Sequence, residues 1–538
     1  MTVFPTNEET PLLEESFQDR QLKVIPRKQL LIIFPALALV QFTSFLDQTA
    51  ISTTLPAIAS ALHTGSSIAW VGASFLTTST SIQLINGRFS DIFGRKACLV
   101  TALTIMGLGN LLSGFSQTPI QLYATRAFSG FGAGAINALI QITISDITRL
   151  DQRGFYFGMV GIAVALGNGL GPVVGGFLTE KTSWRWAFWF ISPLTAVAVV
   201  YLMSVLPGTS ATDDIAKKLR MVDWLGVSTS MAAIILILIP VSQGGSLLPW
   251  TSPIVVGMLV SGALLSAIFV VIEWRLVKLP LLPMHLFRYN RSTNALFALN
   301  FVIGWVFWGN LMYIPLYFQN IHSMSPTTAG SLLLPLVIAH GCTSGLSGVV
   351  ISLSGRYKPV ISGGAFLWAI GAIAKTFYDQ STPTWIFLAI GVFEGIGVGC
   401  GLQPVLVGLL AGTSDIDRAV VTGLRNFIRD LGGAIGTTVS GAILNNVLQN
   451  GLKARFSSKL ISQLTSSAFA LADMDLSDDD KQLISSVYMR GLHVVFMSYA
   501  LLISFLFVST LFLRDYGLGT KQQSNQEWEE EDSAYGQY

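Results

Sequence analysis

Long apolar runs broken by short polar turns fill this chain from about residue 29 to residue 513. A helix that crosses a bilayer needs roughly 20 mainly apolar residues at about 1.5 Å rise each. On that criterion the pattern predicts fourteen spans. Six come first, at 29–56, 68–86, 98–116, 119–142, 154–178 and 186–206. A pair follows at 223–243 and 252–272, and six more occupy 294–318, 327–352, 359–378, 384–408, 421–447 and 491–513. The predicted class is an all-α membrane protein, two six-helix bundles with two extra linking helices. In domain terms it reads as a tail (1–28), a bundle (29–206), a linker with the extra pair (207–290), a second bundle (291–514) with a long external loop at 449–490, and a tail (515–538).

The sharpest break in the pattern is Gly87-Arg88-Phe89-Ser90-Asp91-Ile92-Phe93-Gly94-Arg95-Lys96, a polar island between two apolar runs. A degenerate copy stands at Gly348, Ser352 and Gly355-Arg356-Tyr357-Lys358, with the same spacing from glycine to position five to Gly-Arg. Each copy follows the second helix of a six-helix set. Internal repeats with a substrate site at their interface are a feature of secondary transporters.

Composition agrees. Of the 538 residues 51% are hydrophobic and 12% charged, and the mean hydropathy is +0.59. Soluble domains carry about 25% charged residues. The net charge of +2 gives no case for nucleic acid, because the cations sit in short separate clusters. Those clusters orient the chain: with the N-terminus inside, the inner segments, counted with Arg425 at the edge of the thirteenth span, hold 22 Lys and Arg, against Lys181 and Arg185 in short outer loops. Both termini are thus expected in the cytoplasm. The polar first 28 residues lack the apolar core of a cleavable signal peptide. Cys98, Cys342 and Cys400 are too scattered for a disulfide framework or a metal site.

Ionisable groups inside spanning helices are costly and therefore point to function. Asp47 and Arg126 fall at equal depth, roughly 10–14 Å below the outer surface at about 1.5 Å per residue. They suit either a static ion pair or a carboxylate that binds and releases a proton as its access and its partner change. Glu394 near mid-membrane reads as a second protonation site, a substrate ligand, or a protonated acid bonding a neighbouring helix. Lys375, one turn from a helix end, is expected to snorkel. Arg425 and Arg429, partly neutralised by Asp430, and His340 read as structural or packing residues.

The fifth span holds Gly167-Asn168-Gly169-Leu170-Gly171-Pro172-Val173-Val174-Gly175-Gly176. Glycines at 167, 171 and 175 mark one face for close helix approach, and Pro172 bends the helix there. The reading is a pivot. At the termini, Glu8-Glu9-Thr10-Pro11-Leu12-Leu13 resembles an adaptor-read sorting signal for vacuoles or lysosomes, and Glu527 to Asp532 reads as a solvated acidic tail. Asn290-Arg291-Ser292 fits a glycosylation sequon but falls on the cytoplasmic side, so no glycosylation is expected.

These motifs together resemble a major facilitator superfamily member, specifically the fourteen-helix drug:proton antiporter branch of fungal type. The 87–96 turn matches the superfamily's loop pattern except at Ile92, and the Gly167 to Gly176 stretch matches the antiporter pattern. Leu46-Asp47-Gln48-Thr49 through Leu55-Pro56, Arg126 with Gly130, and Ser183-Trp184-Arg185-Trp186-Ala187-Phe188-Trp189 resemble further motifs of the branch. The resemblance implies alternating access, with proton entry driving export of amphipathic organic compounds such as drugs, toxins or secondary metabolites. It links Arg126 to proton transfer, and together with the two intramembrane carboxylates this makes Asp47, Arg126 and Glu394 the expected proton-coupling residues. The resemblance assigns gating to Gly87, Asp91, Gly94, Arg95, Lys96 and Asp146, with Asp91 docking at the start of the helix near residues 418–424 and Arg95 reaching Asp146. Ser352 replaces the aspartate in the second turn, so a charge latch is expected on one side only.

No phosphate-binding Gly-x-x-x-x-Gly-Lys-Ser/Thr occurs, so coupling is to an ion gradient or absent. The chain is read as no enzyme, with no cofactor and no metal. Its expected partners are a small-molecule substrate, protons and the lipid bilayer, and it is expected to work as a monomer. The plasma membrane is the expected site. A vacuolar amino-acid transporter is the alternative, and a non-transporting membrane sensor the remote one.

Overall fold

The computed structural model describes residues 27–517 except 65–66, 69, 149, 208–221, 244–249, 276, 278–279, 283, 289–290, 323, 325, 415–416, 454, 458–476 and 516. The dileucine stretch, the acidic tail, Asn290 and residues 454 and 458–476 of the 449–490 loop lie outside the described residues.

Helices stand at each predicted span. The first set is α1 (Arg27–Leu62), α2 (Trp70–Phe93), α3 (Arg95–Phe115), α4 (Pro119–Ile147), α5 (Leu150–Lys181) and α6 (Trp184–Val205, which turns at Phe190). The linking pair is α7 (Trp224–Gln243) and α8 (Pro253–Arg275). The second set is α9 (Arg291–Asn320), α10 (Leu334–Ser354), α11 (Lys358–Lys375), α12 (Thr384–Ala411), α13 (Arg418–Leu452) and α14 (Asp478–Leu511). Twelve of these are long and apolar enough to cross a membrane. The other two, α2 and α11, are diluted by the serines and threonines of α2 and by a lysine at each end of α11. Both are packed among the other helices, and the count is compatible with fourteen spans.

Local chemistry sets the ends. Thr118 and Gln121 form a capping box at the start of α4, each satisfying an amide the helix leaves unbonded. Gly94 and Gly355 both adopt positive φ, 90° and 66°, which a β-carbon would strain, although their ψ angles of 145° and 9° differ. The end of the molecule holding these turns is called the basic end below.

The two sets meet along two helix pairs, α2 with α13 and α5 with α10, while α7 packs on both α2 and α13. Small residues make these approaches possible, as is usual where no hydrophobic force separates helix from lipid. A β-carbon on Gly87 would come within 2.8 Å of the Ala419 carbonyl, and one on Gly154 within 2.9 Å of the Gly348 carbonyl. The face of Gly167, Gly171 and Gly175 instead lies on α1 of its own set, against Phe45, Thr49 and Ala50. Thr53 there donates to the Pro172 carbonyl at 2.9 Å. Helix α5 thus has two glycine faces, and it is the Gly154, Gly158 and Gly161 face that meets the opposite set.

Candidate transport site

Asp47 on α1 and Arg126 on α4 are brought together in the first set. Arg126 Nη1 donates to Asp47 Oδ1 at 3.0 Å, and the two side chains are 1% and 0% exposed. Asn110 on α3 completes a triad, its amide donating to Asp47 Oδ2 at 3.1 Å and its carbonyl accepting from Arg126 at 3.2 Å. The Phe75 ring covers the guanidinium at 4.3 Å. Close packing fixes this geometry: Gly109 and Ser129 bring α3 against α4, and Gly130 nests on the Phe75 backbone of α2. Burying a charge is costly unless it is paired and hydrogen-bonded, and both groups are, with Arg126 Nε left buried without a partner.

The second set repeats the chemistry on different helices. Lys375 on α11 lies 2.7 Å from Glu394 on α12, and Asn310 on α9 donates to the same carboxylate at 3.3 Å. Lys375 also donates to the Asn310 carbonyl at 2.5 Å. Lysine 375 does not snorkel. It is fully buried, with the Phe496 and Tyr499 rings of α14 at 5.1 and 5.6 Å from its nitrogen. Each set therefore holds one cation, one carboxylate and one asparagine, sited on its first, third and fourth helices. The second carboxylate oxygen of Glu394 is buried without a partner.

Between the sets lies a cavity lined by Phe45, Asn137, Gln141, Val164, Phe307, Trp308, His340, Leu402, Gln403 and Arg429. Arg429, expected as a structural residue, is its sole charged lining group, and His340 lies edge-on to Phe307 at 5.7 Å. The Asp430 carboxylate accepts from Arg429 Nε at 2.9 Å and from Gln83 of the first set at 2.7 Å.

At the basic end Arg95 donates to Asp146 at 2.8 Å, and Asp91 meets Arg95 at 2.6 Å and Arg88 at 3.8 Å. These contacts stay within the first set, so the expected docking of Asp91 on residues 418–424 is corrected. Its two arginines hold it, and the packing contact with Ala419 falls to Gly87, one turn earlier. An ion pair that does cross joins Arg88 to Asp417, the residue just before α13, at 3.4 Å. Asp417 also meets His285, on the short helix His285–Arg288 that follows the linking pair, at 2.9 Å. Arg88 Nε donates to the Pro280 carbonyl at 3.0 Å, so three parts of the chain join here. The Asp417 hydrogen bond holds the His285 imidazole above its usual range, against partial burial. Burial works to raise the Asp417 carboxyl, but His285, Ser414 and Arg88 outweigh it and hold it below the usual carboxylate range. Lys96 donates to the Met203 carbonyl at 2.7 Å.

The sequence matches the Major Facilitator Superfamily over residues 37–277 and 296–450. The chain belongs to the Major Facilitator Superfamily. It is similar to Citrate exporter 1 of Yarrowia lipolytica, 36% identical over 94% of this chain and 75% of that one. It is also similar to the MFS-type transporter clz4 of Cochliobolus lunatus, 37% identical over 89% and 85%. The fold matches that of the human organic anion transporter MFSD10 (TETRAN), with a TM-score of 0.59 at 15% identity, covering 90% of this chain and 100% of that one. This superfamily member is a multi-pass membrane transporter of small molecules and not an enzyme.

Asn110, Asn310, Arg88, Asp417 and His285 carry contacts in this transporter that sequence reasoning did not assign. An asparagine in an apolar helix is one polar residue among many. The signal that was present is that Asn110 and Lys375 both lie on the third helix of their sets.

Proposed function

We propose that this transporter is a proton-coupled antiporter that exports small organic compounds, including drugs, toxins and secondary metabolites, by alternating access between its two six-helix sets. The observation that carries this reading is the Asp47–Arg126–Asn110 triad, a carboxylate sealed from solvent beside a cation that has a second acceptor within reach. Protonation of Asp47 would remove half of the pair and release Arg126 to the Asn110 carbonyl. Deprotonation restores the pair. Each state favours one exposure of the cavity, and a change in access moves the proton. Phe45, on the same helix two residues before Asp47, lines the cavity and links the two sites mechanically.

Glu394 with Lys375 is the corresponding element of the second set, a further proton site or a fixed anchor. The basic end faces the cytoplasm in this reading, following the excess of Lys and Arg there. Arg88–Asp417 and the Gly87 and Gly154 approaches close that side, so the conformation is closed to the cytoplasm. A relative named as an exporter supports export, with the plasma membrane as the site and a single chain as the working unit.

Reconstituted protein, assayed for efflux of labelled amphipathic compounds and citrate with and without an imposed pH gradient, tests the reading. Gradient-stimulated efflux is expected. Transport that ignores the gradient would remove proton coupling.

A further inference from the structure

We infer that the central cavity is built to take an organic anion, a carboxylate on an apolar or aromatic body, and that a polar relay behind its wall sets the sign of that preference. This deepens the proposed function by assigning the substrate class of the same cavity, and it rests on that reading for the transport role.

Charge balance comes first. Arg425 and Arg429 stand one turn apart on α13, and Asp430 is the carboxylate beside them. Asp430 binds Arg429 Nε. Among the described residues no carboxylate lies within ion-pair distance of Arg425, which is 0% exposed. The wall therefore sets two buried cations against one carboxylate, the partly buried Asp430. An uncompensated charge in a low-dielectric interior is costly, and a bound anion offsets it.

The relay fixes which way the amides point. Arginine only donates. Arg425 Nη1 donates to Asn426 Oδ1 at 2.8 Å, so the Asn426 amide nitrogen must face the other way. It donates to Gln141 Oε1 at 2.9 Å across the interface between the sets. With its carbonyl taken, Gln141 is left with its NH2 group to offer the cavity it lines. Asn137 follows the same pattern, its carbonyl accepting from Gln41 at 2.8 Å. Arg425 is held in place by the Leu402 carbonyl.

Two amide donors and the free end of the Arg429 guanidinium thus line one cavity. Arg429 keeps its terminal nitrogens because Asp430 occupies Nε, and a guanidinium fork suits a carboxylate. Phe45, Phe307 and Trp308 supply the apolar walls. Gln403, 6% exposed, has a buried carbonyl oxygen without a partner, an acceptor suited to a hydroxyl on the bound acid. Arg429 and Gln141 are the ligand-contacting residues in this scheme, and Asn426 and Arg425 are positioning residues.

Binding of 2-naphthoate and of 2-naphthamide, of the same shape without the charge, is to be measured on the purified full chain without a pH gradient. Wild type is expected to bind naphthoate at least about tenfold more tightly, the effect of one charge-assisted hydrogen bond. Arg429→Lys should keep the preference and Arg429→Gln lose it. Asn426→Asp still accepts from Arg425 but can no longer donate to Gln141, so Gln141 turns its carbonyl to the cavity and the preference collapses. Equal binding of the two probes by wild type overturns the proposal even if the variants fold poorly. A preference that survives Asn426→Asp overturns the relay. A failure of proton coupling would instead leave this binding intact and abolish only the gradient dependence of transport.

Discussion

Lys375 and Glu394 meet 2.7 Å apart at 0% exposure in the second helix set, as Arg126 and Asp47 meet 3.0 Å apart in the first. The two pairs use different helices for the cation and the acid, yet each completes itself with an asparagine. What is held in common is the chemistry of a neutralised buried charge, available in each half to be opened by a proton.

Breaking one member of such a pair leaves an uncompensated charge in the interior, at a cost of about 3–5 kcal/mol. Glu394→Gln alone should therefore lower stability by roughly that amount, and Lys375→Met with Glu394→Gln should recover most of it. Thermal unfolding of the single and double variants in detergent gives the cycle. Additive losses would show that the two groups do not act as a pair.

The same cycle separates structure from coupling in the first set. Asp47→Asn with Arg126→Gln should regain the stability lost by Asp47→Asn alone, while proton-driven transport stays lost in both. Recovered transport in the double variant would reduce the pair to a structural role.

Much of this was legible in the sequence. The spans follow from apolar run length, and Asp47 and Arg126 were placed together by equal depth. Lys375 departs from its expected snorkelling, although one turn from a helix end normally lets a lysine reach water. Here Phe496 and Tyr499, more than a hundred residues downstream, fold over it. The resemblance places the gate on Asp91, the acid that only the first basic turn carries. The crossing contact instead uses Arg88, since Arg95 is near enough to Asp91 to hold it. His285 lies in a connection without periodicity, so no pattern could connect it with Asp417.

Closure of the basic end depends on close backbone approach. Gly87→Ala would place a β-carbon 2.8 Å from the Ala419 carbonyl. Overpacking of this kind costs about 1–3 kcal/mol, which converts to a roughly 5- to 150-fold shift in a two-state equilibrium. The variant should populate the conformation open at the basic end. Distances between spin labels on α2 and α13 at that end should lengthen; an unchanged distribution would show that the contact does not control access.

The Arg88–Asp417–His285 cluster should respond to pH. His285 is held above its unfolded value, so its contribution is complete below about pH 6.5 and fades as pH rises through the raised folded value. Asp417 is held below its unfolded value, so its contribution is complete above about pH 3.9 and fades as pH falls through the lowered folded value. The melting-temperature gap between wild type and His285→Gln should be widest from about pH 4 to 6.5 and narrow toward pH 8.5. A gap that widens at alkaline pH would place the His285 charge elsewhere.

The account stands most directly on whether Asp47 carries the proton. Liposomes holding the reconstituted transporter and a trapped pH indicator, given an outward gradient of citrate or 2-naphthoate, report proton movement as substrate moves. The wild type should show substrate-driven proton flux opposite to the substrate, and Asp47→Asn should show none. Undiminished proton flux in Asp47→Asn would contradict the account.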